Sequence, residues 1–226
     1  MHARREGALE VIEHRSLAEK AYELLVRKIT RLELPPGTVL VDKALMEQCG
    51  IGRTPIREAL QRLAIERLVD HLPNRGMLVS EITASGVQQI YEYRAMLDGY
   101  AAWLAGSRAT EGQIGQLQLA HQRLVRAAEG DDVNEFVDGD WHFYRVLADA
   151  SHNSLVADSI PRVFNLHLRL WFLISRRIGG WHPIAEAHEE MTKGVAIAVG
   201  QRDPETAELA MRMYISRRHQ DLRNAL

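Results

Sequence analysis

The sequence predicts a mainly α-helical protein, with an N-terminal winged helix-turn-helix domain and a C-terminal all-helical bundle of about six helices. Three observations lead to this fold class: two short amphipathic segments meet at a glycine-containing turn, two short strand-like segments follow them, and the rest of the chain has helical periodicity without convincing alternation of period two. We place the two domains at residues 16–80 and 81–226, after a flexible arm at 1–15.

Composition limits the classes of protein to consider. The chain has 226 residues, of which 46% are hydrophobic, enough for two modest domains with packed cores. The formal net charge is −2, so no basic signal extends over the whole chain. The single cysteine, Cys49, excludes an intrachain disulfide and suits a reducing compartment. No long apolar run and no leader-like segment is present, so we expect a cytoplasmic protein without membrane contact.

The first two helices are short and end at clear breakers. A helix is predicted over residues 17–32, with Ser16 as its cap, and the Leu-Pro-Pro-Gly segment at 34–37 ends it. A second helix follows over 41–49. The Gly-Ile-Gly segment at 50–52 then joins it to a third helix, which makes the pair a helix-turn-helix.

The third helix has two distinct faces. Its apolar face carries Ile56, Leu60, Leu63 and Ala64, and its polar face carries Arg53, Arg57 and Gln61. We expect Thr54 to cap this helix and Pro55 to occupy its first position. Arginine can form a bidentate hydrogen bond to the edge of guanine, and glutamine can form one to adenine. The polar row therefore suits a DNA major groove. The alternative is a solvated helix face with ordinary arginines.

Two strand-like segments follow the third helix. They cover residues 69–72 and 77–80, and the Pro-Asn-Arg-Gly turn at 73–76 lies between them with Arg75 at its tip. Such a hairpin is typical of a wing, and a basic tip suits a phosphate or an adjacent groove.

Six helices account for the rest of the chain. They are predicted over 83–104, 110–129, 133–150, 154–178, 183–199 and 204–223. Thr83, Thr110 and Asp131 or Asp132 are the expected caps, and Pro161 is expected to bend or break the fourth of these helices.

The N-terminal domain resembles the winged helix of GntR-type bacterial transcription regulators. The resemblance covers 17–80 and is most specific at the Arg-Thr-Pro-Ile-Arg-Glu-Ala-Leu sequence of 53–60. It implies DNA contacts, and the helical row described above adds Gln61 to them. The expected DNA-binding residues are Lys43, Arg53, Thr54, Arg57, Gln61, Asn74, Arg75 and Gly76. Gly52 departs from the family pattern, since relatives often carry a small hydroxyl residue there.

The bundle resembles the helical (FCD-type) effector-binding domain of the FadR-like branch of that family. The supporting motifs are Tyr91-Glu92-Tyr93-Arg94, Asp138-x-x-x-His142-Phe143, Ser151-His152-Asn153 and Gly200-Gln201-Arg202-Asp203. The resemblance implies a small organic acid in a central cavity, dimerisation, and often a divalent metal held by an aspartate and three histidines.

The expected metal ligands are incomplete. Asp138 and His142 are four residues apart and therefore share one face of a helix. The family's remaining ligand positions fall on Thr192 and Tyr214, neither of which is a histidine, and His188, one turn before Thr192, is the tentative replacement. We therefore expect either one divalent ion (Zn, Ni or Mn) or a polar pair whose neighbouring hydroxyls hold an organic ligand. A purely structural role in a core is the third possibility.

Arginines in the otherwise apolar bundle are the second indication of an acidic effector. Arg94 matches the family's usual position, Arg145 lies three residues after His142, and Arg169 lies among apolar residues. A buried arginine needs an anionic partner, so these residues can clamp a carboxylate. The alternative for Arg94 is an internal ion pair with Asp98 or Glu92.

These inferences predict a ligand-responsive transcription regulator. We expect it to bind a near-palindromic operator as a homodimer and to be a repressor more readily than an activator. The effector site would include Arg94, Asp138, His142, Arg145, Thr192 and Tyr214. The alternatives are a metal-sensing regulator and a metal-dependent hydrolase; no activated nucleophile or complete ligand set supports an enzyme.

Overall fold

The computed structural model describes residues 16–73 and 76–225, and the expected N-terminal arm at 1–15 lies outside them. Six elements form the N-terminal domain: α1 (Leu17–Thr30), β1 (Val39–Leu40), α2 (Asp42–Cys49), α3 (Arg53–Ile65), β2 (Val69–Leu72) and β3 (Gly76–Val79). Six helices form the C-terminal domain: α4 (Ala84–Arg108), α5 (Glu111–Glu129), α6 (Val133–Ala150), α7 (Ser154–Arg177), α8 (His182–Gly200) and α9 (Pro204–Ala225). The predicted fold class is confirmed.

The N-terminal domain packs three helices against a small antiparallel sheet. The strand order is β1-β3-β2, and the β2–β3 hairpin is in register from Val69 opposite Val79 to Leu72 opposite Gly76. Strand β1 was not predicted, because two residues are too short to show alternation. The core of this domain is formed by buried apolar side chains of α1, α2, α3 and the sheet, and Cys49 packs against it.

Local capping explains where the bundle helices begin. The Thr83 side chain accepts a hydrogen bond from the Gly86 amide at 3.0 Å, and Thr110 forms a capping box with Gln113. Asp132, rather than Asp131, caps α6. The expected break at Pro161 does not occur, since α7 continues through this residue from Ser154 to Arg177.

Helix α4 contacts several other helices of the bundle. It packs against α9 along its length and also contacts α6, α7 and α8. At Gly106 the α4 backbone approaches Pro204 so closely that a Cβ atom would lie 2.6 Å from the proline Cα. None of the helices in the described residues combines the length and apolar character that a membrane span requires.

The two domains meet along α7. The Asn165 side-chain amide donates to the Tyr22 hydroxyl of α1 at 3.2 Å, and Arg176 donates to the Arg31 carbonyl at 2.7 Å. Leu166 packs against the core of the N-terminal domain. Helix α7 therefore belongs to the bundle and also supports the winged helix.

Candidate DNA-binding face and candidate effector site

Helix α3 presents the predicted polar row to solvent. Its buried residues are Ile56, Ala59, Leu60 and Leu63. Arg53, Arg57 and Gln61 are exposed on the other side, with the side chains of Arg53 and Arg57 64% and 65% exposed. The row is thus accessible to a groove of DNA, as is Lys43 on α2.

The prediction that Thr54 caps α3 is wrong. The cap is Gly52, whose carbonyl accepts from the Ile56 amide at 3.3 Å, and no side chain caps this end. The helix begins at Arg53, so Thr54 is its second residue and Pro55 its third. Thr54 is exposed, and its hydroxyl is accessible to DNA rather than occupied by the helix terminus.

Asp42, for which the sequence suggested no role, pairs with the two arginines at the start of α3, Arg53 and Arg57. Its Oδ2 atom lies 2.9 Å from Arg57 Nε and 3.9 Å from Arg53 Nε. Asp42 is the first residue of α2, next to Lys43, so the two helices of the motif are linked by an exposed ion pair. DNA that contacts these guanidinium groups has to compete with this carboxylate.

The predicted wing is present as the β2–β3 hairpin. Gly76 has φ +75°, a backbone conformation that favours glycine, and it pairs with Leu72 at the end of the hairpin. Asn74 and Arg75 lie outside the described residues, so their predicted DNA contacts stay predictions.

In the bundle, the acidic residue of α6 that lies in the interior is Asp140 and not the predicted Asp138. Asp138 and His142 are exposed, whereas Asp140 and Tyr144 are buried. Both pairs are four residues apart, so spacing alone does not distinguish them. The apolar residues of the helix do: the buried Phe136 continues the row of Asp140 and Tyr144.

Arg145 is also exposed, so its predicted place in the effector cavity is wrong. It lies on the same outer side of α6 as His142 and Asp138. Asp138 is close enough to Arg31 of the N-terminal domain for its charge to affect the pKa of that arginine. This side of α6 faces solvent and the domain junction.

His188 lies in the interior, as predicted, with partners that sequence reasoning missed. Its Nε2 atom lies 2.7 Å from Asp140 Oδ1, and its Nδ1 atom lies 2.8 Å from the Tyr214 hydroxyl. A carboxylate only accepts, so Nε2–H donates to Asp140, and in the neutral ring Nδ1 accepts from Tyr214. Thr192 is buried nearby on α8 and lies 3.0 Å from His121 Nδ1.

The residues do not fit the predicted metal site. Asp138 and His142 point away from His188, and within the described residues no three His, Cys, Asp or Glu side chains are arranged to hold an ion. Asp140 and His188 remain as conventional ligand types, but both nitrogens of His188 are occupied by Asp140 and Tyr214. Burial raises the pKa of the Tyr214 hydroxyl, which disfavours the phenolate that a metal would need.

Arg94 forms the internal ion pair that was the alternative to a carboxylate clamp, and part of its guanidinium group has no partner. The side chain is 2% exposed, and its Nε atom donates to Asp98 Oδ2 at 2.8 Å, which is the predicted internal ion pair. Its Nη2 atom donates to the Tyr144 hydroxyl at 2.6 Å. Its Nη1 atom is buried and has no hydrogen-bond partner among the described residues. One edge of the guanidinium group therefore remains available to an anion.

Two further side chains beside Arg94 have unpartnered polar atoms. The Tyr91 hydroxyl and both ring nitrogens of His167 are buried without hydrogen bonds in the described part of the chain. The rings of Tyr91 and His167 are perpendicular, with centroids 6.3 Å apart. We call Tyr91, Arg94 and His167 the α4–α7 polar cluster, since the first two lie on α4 and the third on α7. Buried polar groups are rarely left unpaired, so this cluster fits a missing polar partner.

The electrostatics of the cluster favour an anion. Burial, and then the charge of Arg94, lower the pKa of His167 well below its ordinary value, so the ring is neutral at pH 7. Burial raises the pKa of the Tyr91 hydroxyl to about 12, so this group remains a donor. The cluster thus combines one positive charge with neutral donors on buried side chains.

Comparisons with known proteins give a family match for each of the two domains. The family described as bacterial regulatory proteins, gntR family, matches residues 17–79, and the FCD domain matches residues 89–217. The HTH-type transcriptional repressor RspR of Escherichia coli is 26% identical over 198 residues, which cover 87% of this chain and 85% of that protein.

Solved structures show the same fold. The Escherichia coli protein McbR/YncC superposes with a TM-score of 0.80 at 22% identity, over 93% of this chain and 98% of that chain. A putative GntR regulator from a Rhodococcus species gives a TM-score of 0.72 at 20% identity, over 94% of this chain and 100% of that chain. Together with the two domain matches and the exposed row on α3, these findings show that the chain belongs to the GntR family of bacterial transcription regulators and carries an FCD domain.

Proposed function

We propose that this regulator responds to a small organic acid bound at the α4–α7 polar cluster, and that it binds a near-palindromic operator as a homodimer. The observation that carries the proposal is the buried, unpartnered Nη1 atom of Arg94 beside the unpartnered Tyr91 hydroxyl and His167 ring. A carboxylate would accept from all three side chains and would satisfy groups that are costly to bury alone.

The chemistry of the cluster also restricts the ligand. Asp98 already occupies the Nε side of Arg94, so a ligand carboxylate would approach from Nη1. The neutral His167 ring offers one donor and one acceptor, and the acceptor suits a hydroxyl group on the same ligand. A compact acid with a hydroxyl near its carboxylate fits this set of donors and acceptors.

Helix α7 connects the cluster to the N-terminal domain, so ligand binding at the cluster could change the position of the DNA-binding face. His167 lies on α7 between Asn165, which bonds Tyr22 of α1, and Arg169, which bonds the Ser80 carbonyl at the domain junction. A ligand that pairs with His167 would favour one position of α7 and, with it, one orientation of the winged helix. The difference in its affinity for the two orientations would set how far DNA binding changes.

The outer face of α4 supports a dimer. Met96 and Tyr100 of this helix are 60% and 48% exposed, and Tyr100 stacks on Trp103 with ring centroids 6.1 Å apart. Helix α4 is therefore apolar on both its inner and its outer side, which is typical of a helix that is covered on all sides. A second copy of the chain is the occupant we propose for this face, since two winged helices are needed to read two half-sites.

A repressor role is favoured by the similarity to RspR, which is a transcriptional repressor. The metal-sensing and hydrolase alternatives have no support in the arrangement of Asp138, His142 and His188.

The effector proposal is tested by a thermal-shift screen of the full-length protein against acetate, lactate, malate, citrate and benzoate. We expect at least one acid to raise Tm in the wild type and in Arg126→Lys, an exposed arginine of α5. The same acid should have no effect on Arg94→Lys, which keeps a positive charge beside Asp98 but loses the free guanidinium edge. Equal stabilisation of Arg94→Lys would overturn the assignment of the site.

A further inference from the structure

A cavity lies at the junction between the two domains, and none of its lining residues belongs to the α4–α7 polar cluster. Its volume is about 580 Å³, within the usual range for small-molecule sites. Its walls come from the end of α3, the connection between β3 and α4, the start of α4 and the middle of α7. The winged helix and the bundle therefore both contribute to it.

The cavity has an apolar wall and a basic wall. The apolar wall includes Ile65, Ile82, Ile90, Tyr93, Val163 and Leu166. The basic wall consists of Arg67, Arg162 and Arg169. Arg67 and Arg162 are exposed at the mouth, and neither has a carboxylate within ion-pair distance in the described residues.

Arg169 is the buried anchor of the basic wall. The side chain is 3% exposed, and one of its terminal nitrogens donates to the Ser80 carbonyl. Its Nε atom is buried without a partner, and so is the Ser80 hydroxyl. Burial lowers the pKa of Arg169 to about 10, because the carboxylates of Glu81 and Asp70 compensate its charge only in part. A buried guanidinium without a close counter-ion is costly, so an anion at Nε would stabilise it.

Neither of the two acids that line the cavity lies within ion-pair distance of its three arginines in the described part of the chain. Glu66 accepts from the Tyr22 hydroxyl at 2.7 Å and pairs with Arg62 at 3.3 Å. The carboxylate of Glu81 lies against Gly37 of the turn before β1. In addition, Thr83 and Gly86 bring the N-terminus of the 25-residue helix α4 to the cavity, and this end of a helix favours negative charge.

We propose that this junction cavity is a second ligand site, and that it binds an amphipathic carboxylate whose charged end pairs with Arg169 and Arg162 while its apolar body lies along Ile90 and Val163. A ligand in this position contacts both domains and therefore fixes the end of α3 relative to α4 and α7. The site does not depend on the effector proposal, because none of its residues belongs to the α4–α7 polar cluster.

The test uses octanoate as the probe and isothermal titration calorimetry on the full-length protein, with 1-octanol as the uncharged control ligand. We expect saturable octanoate binding and at least tenfold weaker binding of octanol. Arg162→Gln and Arg169→Gln should each weaken octanoate binding about tenfold or more, the size of a lost charge-assisted hydrogen bond. Arg126→Gln and Arg94→Lys should bind octanoate like the wild type.

Several results would overturn the proposal. The wild type could show no saturable octanoate binding, or octanol could bind as tightly as octanoate. Binding that is lost in Arg94→Lys and kept in Arg162→Gln would assign the ligand to the bundle interior instead. The fold of Arg169→Gln is checked by circular dichroism. If that variant does not fold, Arg162→Gln still tests the site, because Arg162 is exposed.

Discussion

His188 and Asp140 form a buried pair in the bundle, with the His188 Nε2 atom 2.7 Å from the Asp140 Oδ1 atom. The Tyr214 hydroxyl occupies the second nitrogen of the same ring at 2.8 Å. Breaking this chain of hydrogen bonds would leave buried polar groups unpaired, so its members stabilise one another. In the interior of this FCD domain, His188, the tentative metal ligand, is therefore hydrogen-bonded to Asp140 and Tyr214.

Metal addition should leave the stability of the protein unchanged. We expect Tm to be the same with EDTA and with added Zn²⁺, Ni²⁺ or Mn²⁺, since both nitrogens of His188 are already bonded and Asp138 lies outside. Differential scanning calorimetry and elemental analysis of protein purified without an affinity metal check this. A stoichiometric ion whose removal lowers Tm would contradict it.

Replacing Arg57 by alanine should weaken DNA binding by about 1–3 kcal/mol, the loss expected for a base or phosphate contact. Arg57 is 65% exposed in the polar row of α3 and is free to reach DNA once it leaves Asp42. Fluorescence anisotropy at fixed salt measures the change, with a DNA fragment that the wild-type protein selects from a random library. Arg126→Ala, in the bundle, is the matched control, and equal affinities of Arg57→Ala and wild type would refute the recognition-helix assignment.

Asp42→Asn should tighten DNA binding. The substitution removes the carboxylate that competes for Arg53 and Arg57, and an exposed ion pair of this kind is worth roughly 0.5–1 kcal/mol. Glu47→Gln is the matched control, because it removes the same charge from an exposed position of the same helix. If both variants bind DNA equally tightly, the effect comes from net charge and not from release of the arginines.

Acidification should destabilise the protein through His167. Burial lowers the pKa of His167 below 6.5, its ordinary value, so between the two pKa values the unfolded chain binds more protons than the folded one. The free energy of unfolding therefore falls as pH drops below about 6.5, by at most about 1.4 kcal/mol per pH unit for one proton. Urea unfolding at pH 7 and pH 5 should show a smaller loss in His167→Leu than in the wild type. An equal loss in both proteins would contradict the buried neutral state of His167.

The architecture was predictable from local signals. Thr83 and Thr110 cap the helices that they were predicted to cap, and six helices follow the wing. Capping and helical periodicity involve residues close in sequence, so they can be recognised without knowledge of the tertiary structure. The cap of α3 was missed because Thr54 is the better capping residue by type, while the backbone begins the helix after Gly52.

The site was predictable only in part, because side-chain spacing does not give the direction of a helix face. Asp138 with His142 and Asp140 with Tyr144 satisfy the same spacing, and packing of α6 against its neighbours selects the second pair. Arg169, which was considered as a carboxylate clamp together with Arg94 and Arg145, lies at the domain junction, where it bonds the Ser80 carbonyl. That contact joins residues 89 positions apart and has no local signature.

The central claim is that an acid at Arg94 controls DNA binding, and the affinity for DNA with and without that acid tests it most directly. The measurement is the anisotropy of the selected DNA fragment, titrated with the wild type and with Arg94→Lys, each with and without the carboxylate that raises Tm most in the screen. We predict that the acid changes the Kd of the wild type by at least about fivefold. Arg94→Lys should have the same acid-free Kd and should not respond to the acid. The account would be contradicted if the acid changed the Kd of Arg94→Lys as much as that of the wild type. It would also be contradicted if no acid that binds the wild type changed its Kd for DNA.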